Sequence, residues 1–174
     1  FLNSQGNQEF APYFKQAVLR ELFRGEKSLG KTLGCGVGMP VAGAVEAMEI
    51  GFKAYKNSDA VLPVVLSNRF VKGTKALLGF TRFDTTAIME MDAVNTPETR
   101  AFYNRVWNDL DAAGIPFTLH WGKYNAFLTP DRVRNRYGNT AVDQWIASRE
   151  TLMESAAVRQ TFTNAFMARL GLAS

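Results

Sequence analysis

"TTAIMEMDAV", Thr85–Val94, is the stretch on which the reading of this chain turns. Ala87, Met89, Met91 and Ala93 alternate with Thr86, Glu90 and Asp92, and a period of two residues predicts a β-strand. The next segment, "TPETRAFYNRVWNDLDAAG" at residues 96–114, changes period. Thr96 is a good N-cap, Pro97 suits the first helical position and Glu98 suits the positive end of the dipole. Phe102, Val106, Leu110 and Ala113 line one side, and Gly114 stops the helix. "IPFTLHW", residues 115–121, then reads as a short strand. Upstream, "AVLPVVLSNRFVKG" at residues 60–73 is rich in β-branched side chains and predicts a strand. Its Pro63 puts it at a sheet edge or at a strand start. Strand, strand, helix, strand with short connections predicts an α+β fold: an antiparallel sheet with helices on one face.

Helices are expected at both ends of this unit. Residues 7–25, "NQEFAPYFKQAVLRELFRG", place Phe10, Phe14, Val18, Leu22 and Phe23 at helical spacing, with Pro12 in the first turn and Gly25 as the stop. Residues 26–40, "EKSLGKTLGCGVGMP", are glycine-rich and read as a loop. Residues 41–57 read as a helix with Val41, Val45, Met48 and Phe52 on one face. "TPDRVRNRYG" at residues 129–138 repeats the Thr-Pro-acid helix start. Residues 140–155 and 157–172 read as two closing helices.

The chain of 174 residues is one domain's worth, long enough for a substantial core. A net charge of +4 is mild, and the densest basic run, Arg132, Arg134 and Arg136, spreads around more than one helix face. It reads as a solvated helix surface rather than a nucleic-acid footprint. No apolar run reaches the length of a membrane span. A single cysteine, Cys35, excludes an internal disulfide and leaves the compartment open. The start at Phe1, with neither Met nor a signal-peptide pattern, reads as a cut end and predicts a processed chain or a piece of a longer protein.

"LGCGVGMP" tempts a dinucleotide-loop reading, but Met39 occupies the place of the third glycine and Pro40 follows. A flexible or close-approach loop is the simpler reading. Cys35 with His120 lacks any supporting context for nucleophilic catalysis, and one histidine without a CxxC partner cannot build a zinc site. No metal is expected. What remains is "HWGK". His120 is the only histidine, Lys123 projects into the same region, and Trp121 and Tyr124 supply aromatic walls beside a strand end, where loops carry sites on rigid supports.

"IPFTLHWGKYNAFLTPDRVRNRYG" resembles the C-terminal signature of the aldonolactone and alditol oxidase group, within the vanillyl-alcohol-oxidase superfamily of flavoproteins. In that group an HWxK segment is followed by a short helix with a Tyr, a charged helix with a central Arg, and an F-x-N segment ending in LG. Here the same order runs through His120, Trp121 and Lys123, then Tyr137, Trp145 and Arg149, then Phe162, Asn164 and "RLGL". Arg69, in "LPVVLSNRFVKG", matches the Arg of the group's Glu-x-Arg element at the flavin. The resemblance runs from about residue 61 to the end. Two departures stand out. Ser67 replaces the Glu of that element, which leaves a nearby carboxylate such as Glu90 or Asp92 to supply the acid or else implies a different substrate, and "ESAAVRQTF" replaces an Asp-Pro turn.

The resemblance implies the substrate (cap) domain of an FAD-dependent oxidoreductase that oxidises the CH–OH group of an alcohol, alditol or lactone. It implies that the FAD-binding domain lies on another segment or chain, the expected partner. Separated from it, this chain is expected to self-associate through an exposed apolar face. Arg69, His120 and Lys123 are then the catalytic candidates: Arg69 a fixed cation, His120 a proton acceptor or orienter, Lys123 a substrate or flavin contact. Ser67, Asp92, Trp121, Tyr124 and Asn125 are expected at the substrate, and Arg69, Lys123 and Asn164 at the cofactor. Rival readings are an oxidase of sterols or other bulky apolar alcohols, a cap-derived binding module without catalysis, and a helical interaction domain in which HWGK is a surface feature.

Overall fold

The computed structural model describes residues 32–60 and 66–173. The helix expected at residues 7–25 and Pro63 lie outside the described residues. Contacts set off Leu33–Ser174 as one compact unit, and the fold below is that unit's.

Thr32–Pro40 forms β1, and a single 3-10 turn at Val41–Gly43 leads into helix α1, Ala44–Lys56. Strands β2 (Ser67–Lys72) and β3 (Thr85–Val94), helix α2 (Pro97–Ala112) and strand β4 (Thr118–Leu119) follow. Four helices close the chain: α3 (Pro130–Tyr137), α4 (Asn139–Leu152), α5 (Ala156–Thr161) and α6 (Ala165–Arg169). The sheet order is β2-β3-β1-β4. The fold is α+β, with a four-stranded antiparallel sheet. The element order βαββαβ with this strand order is the split-βαβ, ferredoxin-like arrangement. Both helices of the repeat, α1 and α2, lie against each other, and α1 also lies against β3.

β3 and α2 fall where their periodicity puts them. Thr96 caps α2, its side chain accepting from Thr99 N at 3.2 Å, and Gly114 ends it at φ +69°, a conformation that favours glycine. Phe102, Val106 and Leu110 are buried as expected; Tyr103 and Trp107 join them, and Ala113 is exposed. β2 is an edge strand, and only Thr118 and Leu119 of the expected strand at residues 115–121 form β4.

Four expectations fail. The glycine-rich segment is not a loop over residues 32–40: it is β1, with β3 and β4 on either side. Its glycines mask an alternation in which Cys35, Val37 and Met39 are fully buried in the core. Ladder bonds on both edges offset the entropy that glycine loses in a strand. Helix α1 turns the other way from its expected face. Ala44, Ala47, Gly51 and Ala54 are buried, whereas Val45 is 72% exposed and Phe52 is exposed. Small side chains let the helix approach the sheet: a Cβ on Gly51 would stand 3.3 Å from Leu66 Cδ2 and 3.4 Å from Met89 Sδ. The last expected helix is two short ones, because the Ser155 and Asn164 side chains cap separate helices through Val158 N and Met167 N.

The arginine run also departs from a solvated surface. Arg132 lies over the Phe127 ring at 3.6 Å and donates to Phe127 O. Arg134 pairs with Asp143, and Arg136 lies over Phe117 and pairs with Asp111. No helix among the described residues is long and apolar enough to cross a membrane.

Candidate functional site

The helices α1 and α2 cover one face of the sheet, the side of Cys35, Val37, Met39, Met89 and Met91. The even-numbered positions of β1 and β3 point the other way. Register places Ser67 opposite Glu90 and Arg69 opposite Ile88 on the β2–β3 ladder, so all four share that face. Glu90 is the centre. Arg69 Nη2 donates to its Oε1 and Lys123 Nζ to its Oε2, two ion pairs on one carboxylate. Lys123 Nζ also stands 3.5 Å from Asp92 Oδ1. The side chains range from sheltered to open: Glu90 8% exposed, Lys123 25%, Asp92 42% and Arg69 62%.

The glycines of β1 make the room. A Cβ on Gly36 would stand 3.1 Å from Glu90 Oε2 and 3.2 Å from His120 Cβ. One on Gly34 would stand 2.5 Å from Asp92 Oδ1 and 3.5 Å from Lys123 Cδ, too close to Asp92 for either to stay in place. The close-approach part of the sequence reading thus describes this segment, though as strand and not as loop.

His120 and Lys123 arrive on the turn after β4. That turn is tied to β1 by His120 N to Gly36 O at 2.9 Å and Tyr124 N to Gly34 O at 2.8 Å. Asn125 Nδ2 donates to Trp121 O at 3.1 Å, and Arg169 Nη2 donates to Asn125 Oδ1 at 3.2 Å. Trp121 stacks on Tyr137 with centroids 5.5 Å apart, and its Nε1 donates to Leu78 O. Tyr124 stacks on Trp107 at 5.8 Å. Trp121, Tyr124 and Asn125, expected at the substrate, are thus engaged in shaping and anchoring the turn. Asn164, expected at the cofactor, is exposed, and its side-chain oxygen caps α6.

The electrostatics follow from this packing. Burial alone would raise the Glu90 carboxyl, but hydrogen bonds from Lys123 and Arg69 outweigh it and hold Glu90 below its ordinary 4.5. Burial would likewise lower Lys123, but the bond to Glu90 outweighs it and holds the ammonium above 10.5. The charge is therefore fixed on both groups near neutrality. Cys35 lies on the opposite face, and burial pushes its thiol up, so it is not a nucleophile partnered by His120.

The structure therefore gathers Arg69, His120, Lys123, Ser67 and Asp92 around one face and adds Glu90 as their hub. Two signals in the sequence pointed to Glu90 and to the glycines: the two-residue spacing of Glu90 and Asp92, and the two-residue spacing of Gly34, Gly36 and Gly38. A separate open groove, lined by Pro40, Arg82, Asp84, Phe117 and Arg136 among others, holds none of these residues. Among the described residues no group of His, Cys, Asp and Glu gathers to hold a metal ion. No family model matches the chain, and no curated protein matches it either.

Proposed function

We propose that this chain is the substrate-domain portion of an FAD-dependent oxidoreductase that oxidises a CH–OH group of an alcohol, alditol or lactone. The observation that carries the reading is the clustering of Arg69 and Lys123 on the Glu90 carboxylate, with His120 beside them, on the sheet face opposite α1 and α2. The HWGK signature and the upstream Arg are the residues of the family resemblance. Ser67, where that family carries Glu, faces Glu90 across the ladder, so an acid is supplied from the neighbouring strand.

The residues fit the reactive end of the cofactor and not its nucleotide end. The exposed Arg69 guanidinium and the Lys123 ammonium are fixed cations of the kind an anionic reduced ring calls for. The only glycine-rich run among the described residues is a strand, which offers no phosphate cradle at a helix start. The FAD-binding part is accordingly assigned to a partner domain or chain. When bound, the flavin supplies the hydride acceptor. The chain's own groups then position the alcohol and handle its charge. Lys123 meets the oxygen as it gains negative charge, Glu90 holds Lys123 protonated and in place, the partly exposed Asp92 carboxylate 3.5 Å from Lys123 Nζ accepts the hydroxyl proton, and Arg69 offers a second cation at the edge strand.

The visible spectrum of the native protein that contains this chain tests the proposal. Flavin bands that bleach anaerobically on adding an alditol or aldonolactone are expected. A fully active preparation without flavin bands would sink it.

A further inference from the structure

His120 is held at three points of one turn. Its N–H donates to Gly36 O at 2.9 Å, its carbonyl accepts from Lys123 N at 3.2 Å, and its Nδ1 accepts from Gly122 N–H at 3.0 Å. The last bond assigns the ring. A backbone amide can only donate, so the ring atom that meets it must offer a lone pair. Turning the imidazole over would put a carbon there instead. In the neutral ring the proton therefore sits on Nε2. Phe80 meets the ring edge-on at 5.0 Å and limits its rotation. Among the described residues nothing accepts from Nε2, which is not a buried, unsatisfied atom either. The ring's one N–H is thus unpartnered among the described residues, and the Cβ that carries the ring lies beside Gly36, whose other neighbour is the Glu90 carboxylate.

We propose that His120 serves this site as a neutral hydrogen-bond donor, its Nε2–H pointing to an oxygen of the substrate, and not as the acceptor of the hydroxyl proton. The identity of that oxygen rests on the proposed function; the nitrogen assignment rests on the Gly122 bond alone. To take up a proton, the ring would have to use Nδ1, break that bond and turn an N–H against the Gly122 N–H. As a donor it keeps every bond it has. An N–H already aimed at an oxygen strengthens its hold as that oxygen gains charge, and Lys123 supplies the second donor on the same face.

Two measurements on the native, flavin-containing protein test this. The first is the two-bond proton–nitrogen correlation spectrum of the 15N-labelled protein, with the His120 signals identified by their loss in His120→Gln. A protonated Nε2 and a bare Nδ1 are expected; a protonated Nδ1 overturns the proposal. The second is turnover of D-sorbitol or D-gulono-1,4-lactone by three variants. Gln carries an amide N–H out to the position of Nε2, whereas Asn reaches only that of Nδ1. His120→Gln should stay within about fivefold of the parent, and His120→Asn and His120→Ala should fall together by about 10²-fold in kcat, the usual cost of removing one such donor. Equal losses for Gln and Ala, with melting temperatures unchanged, overturn the donor role. The two readings fail separately: a protein without flavin bands removes the proposed function, while flavin bands with a protonated Nδ1 remove only the donor.

Discussion

The two faces of β3 are built from alternate residues of one ten-residue strand, yet they obey different rules. Ala87, Met89, Met91 and Ala93 are fully buried against the helices, with Phe102, Tyr103, Val106 and Trp107 in the same cluster. Glu90 and Asp92, on the other face, meet Lys123, Arg69 and the bare backbone of β1. The first face is held by apolar area removed from water, which is non-directional and tolerant of shape as long as volume is kept. The second depends on direction. Its carboxylate is sheltered by two cations, and its glycines leave space that no other residue would leave. The contrast separates stability from chemistry: the face against α1 and α2 should carry the fold, and the face that holds Glu90 the activity.

The sharpest way to break that division is Trp107→Ala. Trp107 is fully buried at the centre of the aromatic cluster, so its loss should cost about 3–5 kcal/mol in urea unfolding. A loss under about 1 kcal/mol would mean that the helix layer does not hold the fold.

Lys123→Ala tests the other face. Turnover should fall by about 10²-fold while far-UV circular dichroism stays native, because a cation serving the developing charge is removed. Unchanged turnover with lowered stability would make the Lys123–Glu90 pair a structural one.

Ala47→Leu and Phe52→Ala compare the two stripes of α1. The first overfills the stripe against the sheet and should cost about 1–3 kcal/mol. The second trims a side chain that is 48% exposed and should cost roughly 0.5 kcal/mol or less. The reverse order would put the larger side chains of α1 in the core.

The smallest effect is in the acid limb of stability. The folded carboxyl of Glu90 lies below its ordinary value, so its contribution is present above that value and is lost as pH falls through the folded one. Arg69→Gln removes one of the two bonds that hold it down. The acid-unfolding midpoint should then move to higher pH, measured by fluorescence. An unmoved midpoint would mean that Lys123 alone sets the charge of Glu90.

The residues differ in how far they could be read in advance. β3 and α2 were legible because one periodicity dominates each segment and local caps agree with it. Thr96, Pro97 and Gly114 mark the ends of α2, and the same Thr-Pro start marks α3. Helix α1 shows the limit. Val41, Val45, Met48, Phe52 and Ala44, Ala47, Gly51, Ala54 are both stripes at helical spacing, and hydrophobicity favours the first. The second was chosen because Leu66 and Met89 leave no room for larger side chains, a fact that belongs to the sheet and not to the helix.

Sequence alone determined the α+β class, the strand at Thr85–Val94, the capped helix after it, and His120 with Lys123 as groups worth finding together. Those depend on local chemistry: period, caps, and the scarcity of a residue type; Arg69 joined them only through the family resemblance. Only tertiary structure decided that Thr32–Pro40 is a strand, that Glu90 stands across from Ser67 and joins Arg69 to Lys123, and that Gly122 fixes the His120 ring. The physical reason is common to all three. A glycine strand has no side chains to declare its face, and a cross-strand register or an amide aimed at one ring nitrogen exists only after distant segments have been brought within bonding distance.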